Sequence, residues 1–221
     1  KVSNFCPGAN DNASGSSLII ELARATKEYG PKVNVRFVSF GAEETGLNGS
    51  KAYARSLPDS EHAKALGAIN LDSVGAGDDL CILTSYASRG FDGYTEYVGT
   101  GHTTGWVNDL IHGTSERLGI PIERNGWSNG SSDHDPLIKN GIPATTLLRR
   151  QDGRIPNYHN SSDKPEGIDA DKLAEVGDLS YHSLIDMYRS RNVYTNLAGA
   201  KSVEDIDALL ALGFGQVDAA L

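Results

Sequence analysis

Between Ser14 and Tyr188, short β-branched runs alternate with longer segments in which apolar residues recur at helical spacing. That alternation implies an α/β sheet with helices on both faces. Ser14–Tyr29 carries Leu18, Ile19, Leu22, Ala23 and Thr26 along one face, has Asp11, Asn12 or Ser14 available as N-cap, and stops at Gly30-Pro31; it reads as a helix. Val33–Phe40 alternates with period two and is rich in β-branched and aromatic residues, which predicts a strand ending at Gly41. The same reading predicts helices over Ser50–Leu57, Trp106–Leu118, Leu137–Asn140 and Asp171–Tyr188, and strands over Ala68–Leu71, Leu80–Thr84 and Ile142–Leu148. After Arg191 the texture changes, and a short helical pattern follows through Val203, Ile206, Leu209, Leu210 and Phe214. Residues 1–191 are therefore expected to form one domain, and 192–221 an appendage or the start of a linker to a second module.

Charge and composition narrow the function. The formal net charge of −9 repels a phosphate backbone, and Arg149-Arg150 with Arg154 is too small a basic patch to offset it, so no nucleic-acid partner is expected. No apolar run approaches the ~20 residues that span a bilayer, so no membrane partner is expected, and the first residues lack the apolar core of a signal peptide. With Lys1 at the start and Met187 as the only methionine, the translation start is expected upstream. The two cysteines, Cys6 and Cys81, form no Cys-x-x-Cys pair and leave open a single disulfide between them.

Polar clusters stand where strands end or helices begin: Pro7–Gly15, Gly41–Gly46, Asn70–Gly75, Ser132–Pro136 and Pro156–Asp163. Loops at the carboxyl ends of strands are where an α/β fold keeps its reactive groups. Each cluster also has a plain reading. Asp11 and Asn12 serve as helix caps, Glu43-Glu44 as a solvated turn, Asp72 as a turn residue and His159 as a surface histidine. Taken together, carboxylates converging on one sheet edge repel one another unless a cation neutralises them, and oxygen ligands with a histidine suit Zn²⁺.

In combination, Gly-Ala-Asn-Asp-Asn-Ala-Ser-Gly, Gly-Ala-Glu-Glu-x-Gly, Asn-Leu-Asp and Tyr-His-x-x-x-Asp resemble the co-catalytic dizinc aminopeptidases of metallopeptidase family twenty-eight, of the bacterial leucyl aminopeptidase type. The resemblance covers about Pro7 to Arg189. It implies a three-layer α/β sandwich of the zinc-exopeptidase type with a mostly parallel mixed sheet, residues 1–191 forming the catalytic domain. It also implies that Asp11 bridges two zinc ions, Glu44 and His159 ligate one, Asp72 ligates the other, Glu43 is the general base and Tyr158 hydrogen-bonds the developing oxyanion. Asp133 and His134 are given supporting roles. The family carries one further zinc-binding His, in a His-x-Asp motif about a dozen residues before the bridging Asp, and that point falls before Lys1. The N-terminal part of the domain is thus expected to be absent from this chain, which is expected to hold its zinc incompletely.

The function implied is a secreted, monomeric metallo-exopeptidase that removes N-terminal residues from peptides. A non-catalytic peptidase-like binding module and a glutaminyl cyclase-like enzyme of the same fold are the alternatives. A serine hydrolase is the rival from another class, because Gly126-Trp127-Ser128-Asn129-Gly130 matches Gly-x-Ser-x-Gly, with Asp133 or Asp152 and then His159 following in order. That motif needs a strand before its Ser and a helix after it, whereas Gly130-Ser131-Ser132 and Pro136 are loop chemistry. Gly99–Gly105 is glycine-rich but spaced wrongly for a nucleotide loop, and His102 and His112 have no ligand-like partner four residues on.

Overall fold

The computed structural model describes residues 6–31, 33–83, 105–127 and 131–197. Strands β1 (Ala68–Leu71), β2 (Asp79–Leu83), β3 (Glu123–Trp127) and β4 (Ala144–Arg150) hydrogen-bond into one sheet in the order β1-β4-β2-β3. β1 runs parallel to β4, with Ala68 opposite Ala144 and Leu71 opposite Leu147. β2 is antiparallel to β4, from Asp79 opposite Arg150 to Leu83 opposite Thr146, and parallel to β3. Six α-helices accompany them among the described residues: α1 (Gly15–Tyr29), α2 (Asn48–Ser56), α3 (Asp59–His62), α4 (Gly105–Leu118), α5 (His134–Lys139) and α6 (Ala170–Leu197).

Side chains along a strand point alternately to opposite faces, and here each face carries its own core. Leu80 and Ile82 of β2 and Leu147 of β4 pack with Leu22 of α1, Val107 and Ile111 of α4, and Val176, Leu179 and Met187 of α6. Their neighbours Cys81, Leu83 and Leu148 face the other way, against Ile155. Ala54 of α2 and Leu137 and Ile138 of α5 pack with Ile142 and Ala144. Helices therefore cover both sides of a mixed sheet whose pairings are parallel in two cases of three. This is the three-layer arrangement expected. No helix among the described residues is long and apolar enough to cross a membrane.

Arg149 lies fully buried in β4. Its guanidinium donates to the carbonyls of Gly77 (3.4 Å), Asp78 (3.3 Å) and Lys172 (3.3 Å) and pairs with Glu175 of α6. It thereby ties the loop after β1 and the start of α6 to the sheet. Cys6 and Cys81 are free thiols. Cys6 is exposed, and the buried Cys81 accepts a hydrogen bond from Arg150 Nε at 3.0 Å.

Several elements depart from expectation. Val33–Phe40 is not a strand: Val33, Val35 and Phe37 are half-buried and Asn34 and Arg36 exposed, but the segment joins no strand pairing among the described residues. It borders a cleft of about 1400 Å³ that β1 also lines. Alternation specifies a face, whereas a strand also needs a hydrogen-bonding neighbour. β3 was not anticipated because Glu123-Arg124-Asn125-Gly126-Trp127 carries little β propensity, and it is tolerated at the sheet edge. α3, also unanticipated, opens after Pro58 with Asp59 and Glu61 in its first turn, favourable charges for a helix start. α6 continues past Arg191 to Leu197. The pattern from Val203 to Phe214, Ser128, Thr84 and residues 99–104 of the glycine-rich loop, with His102, lie outside the described residues, while Gly105 opens α4.

Candidate metal centre

Because β1 and β4 are parallel, their carboxyl ends share one edge of the sheet. Asp72 follows β1 directly, its N–H donating to the Leu147 carbonyl at 3.1 Å. Beyond β4 the chain turns through Ile155–Asp163 and brings His159, at a left-handed φ of 55°, back to the same edge. Asp11 sits in the turn Ala9–Ser14, where it and Asn12 leave helical geometry before α1 begins. Gly15 is pressed so close to β1 that a Cβ there would stand 2.3 Å from the Leu71 carbonyl oxygen. Glu43 and Glu44 lie on the turn before α2, closed by hydrogen bonds from the N–H groups of Gly46 (2.9 Å) and Leu47 (2.7 Å) to the Glu43 carbonyl. A Cβ at Gly49 would stand 2.3 Å from the carbonyl oxygen of Gly41.

His159 Nε2 lies 2.8 Å from Glu44 Oε1 and 3.2 Å from Asp11 Oδ2. One ligand atom from each of Asp11, Glu44 and His159 falls within 4.8 Å of the other two. Asp72 stands outside this triple but close enough to push up the Asp11 carboxyl. Its own oxygens accept hydrogen bonds from Ser132 Oγ (2.7 Å) and Ser73 Oγ (3.2 Å). The ring of Tyr158 stacks on that of His159, with centroids 3.6 Å apart.

Burial and mutual repulsion raise the acids. Asp11 is pushed up to about 7, by burial first and then by Asp72 and Glu44, with His159 acting in the opposite sense. Glu43 is also pushed up to about 7, by burial and then by Asp72, Glu44, Asp133 and Asp11. Asp72 and Asp133 are raised chiefly by burial. Burial and the same acids push Tyr158 well above the ordinary phenol range. Burial and mutual repulsion thus disfavour the ionised forms of Asp11, Glu43, Asp72 and Asp133, and a cation among them would relieve that cost. One imidazole nitrogen and two carboxylate oxygens are ligand types that suit Zn²⁺.

Residues outside the ligand triple hold this edge together. Asn10 Oδ1 accepts from the Gly75 N–H (2.8 Å). Asn12 Oδ1 accepts from Gly15 (3.0 Å) and Ser73 (3.3 Å), while its Nδ2 donates to the Leu71 carbonyl (2.8 Å). Ser14 Oγ donates to the Asn10 carbonyl (2.6 Å) and accepts from Val74 (3.1 Å). Behind Asp72, Ser132 accepts from Asn70 Nδ2, which also donates to Thr146 Oγ1; that hydroxyl meets His134 Nδ1 at 2.8 Å. His134 is fully buried and pushed down to about 4 by burial. All but Thr146, which lies in β4, fall inside the motifs, but their long-range partners leave no trace in local sequence.

The serine-hydrolase geometry is not assembled among the described residues. β3 does supply a strand ending at Trp127, directly before Ser128, but residues 131–133 are not helical. His159 meets Asp11 and Glu44 rather than Asp133 or Asp152.

Carboxylates and an imidazole gathered at the carboxyl ends of strands in an α/β sheet are the build of a metallohydrolase. The model of peptidase family M28 matches residues 2–184, and the chain belongs to that family. It is 33% identical over 182 residues to aminopeptidase YwaD of Bacillus subtilis, covering 79% of this chain and 36% of that protein. It is 35% identical over 147 residues to leupeptin-inactivating enzyme 1 of Streptomyces exfoliatus, covering 66% and 30%. Among solved structures, the aminopeptidase from Aneurinibacillus sp. strain AM-1 superposes with a TM-score of 0.68 at 33% identity, over 85% of this chain and 41% of that one. The zinc aminopeptidase BSAP from Bacillus subtilis superposes with a TM-score of 0.69 at 30% identity, over 83% and 43%. The chain thus spans 30–36% of the length of these curated relatives.

Proposed function

We propose that the chain is the core of a zinc-dependent aminopeptidase that hydrolyses the first peptide bond of substrates with a free N-terminus. Family membership and the aminopeptidases among its relatives support the reading. The observation that carries it is the Asp11–Glu44–His159 triple beside Glu43, a carboxyl outside the triple that is pushed up to about 7. Secretion and a monomeric state belong to the same reading, supported by the family resemblance alone.

Asp11, Glu44 and His159 would hold one ion, and Asp72 with Asp11 would be available to a second. When bound, Zn²⁺ lowers the pKa of a coordinated water to about 7 and polarises a carbonyl. Glu43 accepts the proton of the attacking water and delivers it to the leaving amine, a role that contributes ~10²–10⁴-fold. Tyr158 keeps its proton at working pH and so can donate a hydrogen bond to the oxyanion, where one donor contributes ~2.7–4 kcal/mol. The surplus negative charge of the acids attracts the α-ammonium that marks an N-terminus.

The test, on the full-length protein, is hydrolysis of aminoacyl p-nitroanilides. Activity should vanish with a zinc chelator, return with Zn²⁺ and survive Ser128→Ala. Glu43→Gln should keep bound zinc and lower kcat at least ~100-fold, whereas Glu44→Gln should lose zinc. Chelator-resistant activity abolished by Ser128→Ala would overturn the reading in favour of a serine hydrolase.

A further inference from the structure

Asp163 closes the Tyr-His-x-x-x-Asp motif four positions after His159, and neither the ligand set nor the proton path uses it. It is 2% exposed. Its carboxylate faces backbone rather than a cation: Oδ1 accepts from the Asn10 N–H at 2.7 Å and Oδ2 from the Asp11 N–H at 3.0 Å. Its own carbonyl accepts from the Ala9 N–H at 3.3 Å. Three consecutive amides of the Asp11 turn therefore end on a single residue of the His159 turn. Within that second turn, the Asp163 N–H donates to the Asn160 carbonyl (3.2 Å) and the Asn160 N–H to the Asn157 carbonyl (3.3 Å), so Asp163 is fixed relative to His159.

Two ligands some 150 positions apart in the chain are thus joined by a rigid clasp. A buried carboxylate is costly unless its hydrogen bonds are satisfied, and another negative charge beside Asp11 aggravates the crowding of acids. A neutral side chain would avoid that cost but would not offer two acceptor oxygens at the spacing of adjacent amides.

We propose that Asp163 is a positioning residue of the metal centre: by gripping the Asn10 and Asp11 amides it sets the separation of the Asp11 and His159 ligand atoms. The inference rests on the zinc reading above. Groups that orient metal ligands typically change metal affinity ~10–100-fold when removed.

The test compares wild type, Asp163→Asn, Asp163→Glu and Ser162→Ala. Asn retains one acceptor oxygen but turns an NH₂ toward the second amide, Glu keeps the charge with one methylene too many, and Ser162 is an exposed neighbour on the same turn. Each protein is titrated with Zn²⁺ against a chromogenic chelator, and its Co²⁺ form is recorded by visible absorption, which reports ligand geometry independently of turnover. Both Asp163 variants should bind Zn²⁺ ~10–100-fold more weakly with altered Co²⁺ bands, kcat falling more than KM changes, while Ser162→Ala matches wild type. Unchanged zinc affinity and Co²⁺ spectrum in the Asp163 variants would overturn the clasp and leave the zinc reading standing. Failure of wild type to bind either metal would instead remove the zinc reading. Failure of both variants to give the wild-type far-ultraviolet dichroism without metal would overturn the inference in favour of a purely structural role.

Discussion

Asp11→Asn should stabilise the metal-free protein at pH 8 while destroying its metal centre. The Asp11 carboxyl is pushed from 3.8 to about 7 by burial and by Asp72 and Glu44, whereas in the unfolded chain it returns to about 3.9. A folded-state value above the unfolded one means that the folded chain holds the proton more tightly. The associated stability is fully present below about pH 4 and is lost as pH rises through 7. The full difference corresponds to ~4 kcal/mol. Solvent still reaches the carboxyl, and the variant forfeits the contact between Asp11 Oδ2 and His159 Nε2, so about half, ~2 kcal/mol, is regained at pH 8. For a chain of this size that is roughly 4–8 °C in Tm. Calorimetric melts of both proteins in chelator should nearly coincide at pH 4 and diverge toward pH 8, with Asp11→Asn the more stable. His134, pushed down to about 4, titrates with the opposite sign but is common to both proteins and cancels. Added Zn²⁺ should reverse the order, because metal stabilises only the protein that binds it. A metal-free Asp11→Asn protein melting at or below wild type at pH 8 would refute this account of the acids.

Ser132→Ala removes the donor that holds Asp72 Oδ2 at 2.7 Å and should weaken zinc binding ~10-fold or more without abolishing the fold, as read by chelator competition and far-ultraviolet dichroism. Arg149→Met leaves the carbonyls of Gly77, Asp78 and Lys172 without their buried donor. It should cost about 3 kcal/mol and lower Tm by roughly 6–12 °C with zinc affinity unchanged; a full-stability variant would show the cation to be dispensable.

The layered fold was legible because its helices and inner strands each carry a complete local pattern. Leu18, Leu22 and Thr26 mark the inner face of α1, and Gly30-Pro31 marks its end, where Gly30 adopts a left-handed φ of 66°. Val33–Phe40 misled because its period of two is real while its hydrogen-bonding neighbour is a property of the whole fold, and β3 was hidden because packing on β2 overrides its weak propensity. At the site, Asp11, Glu44 and His159 were legible as charged residues at loop positions in recognisable motifs. Asp72 was placed at the same edge and assigned to a different ion from the triple, and it stands beside the triple. Asn10, Asn12, Ser14, Ser132 and Asp163 were not legible in their roles, since their partners are backbone groups or side chains up to 153 positions away.

Gly15 and Gly49 each press one backbone against another where even a methyl group would collide, Gly15 with Leu71 and Gly49 with Gly41. Gly15 sits beside the turn that carries Asp11 and Gly49 beside the turn that carries Glu44. For anyone evolving this scaffold toward new substrates, the two positions are closed to variation: saturation libraries there should return glycine almost alone, while exposed neighbours such as Ser16 and Ala52 should tolerate broader replacement. The frame that presents the acids is thus inherited as a block, and useful diversity has to come from the walls around it.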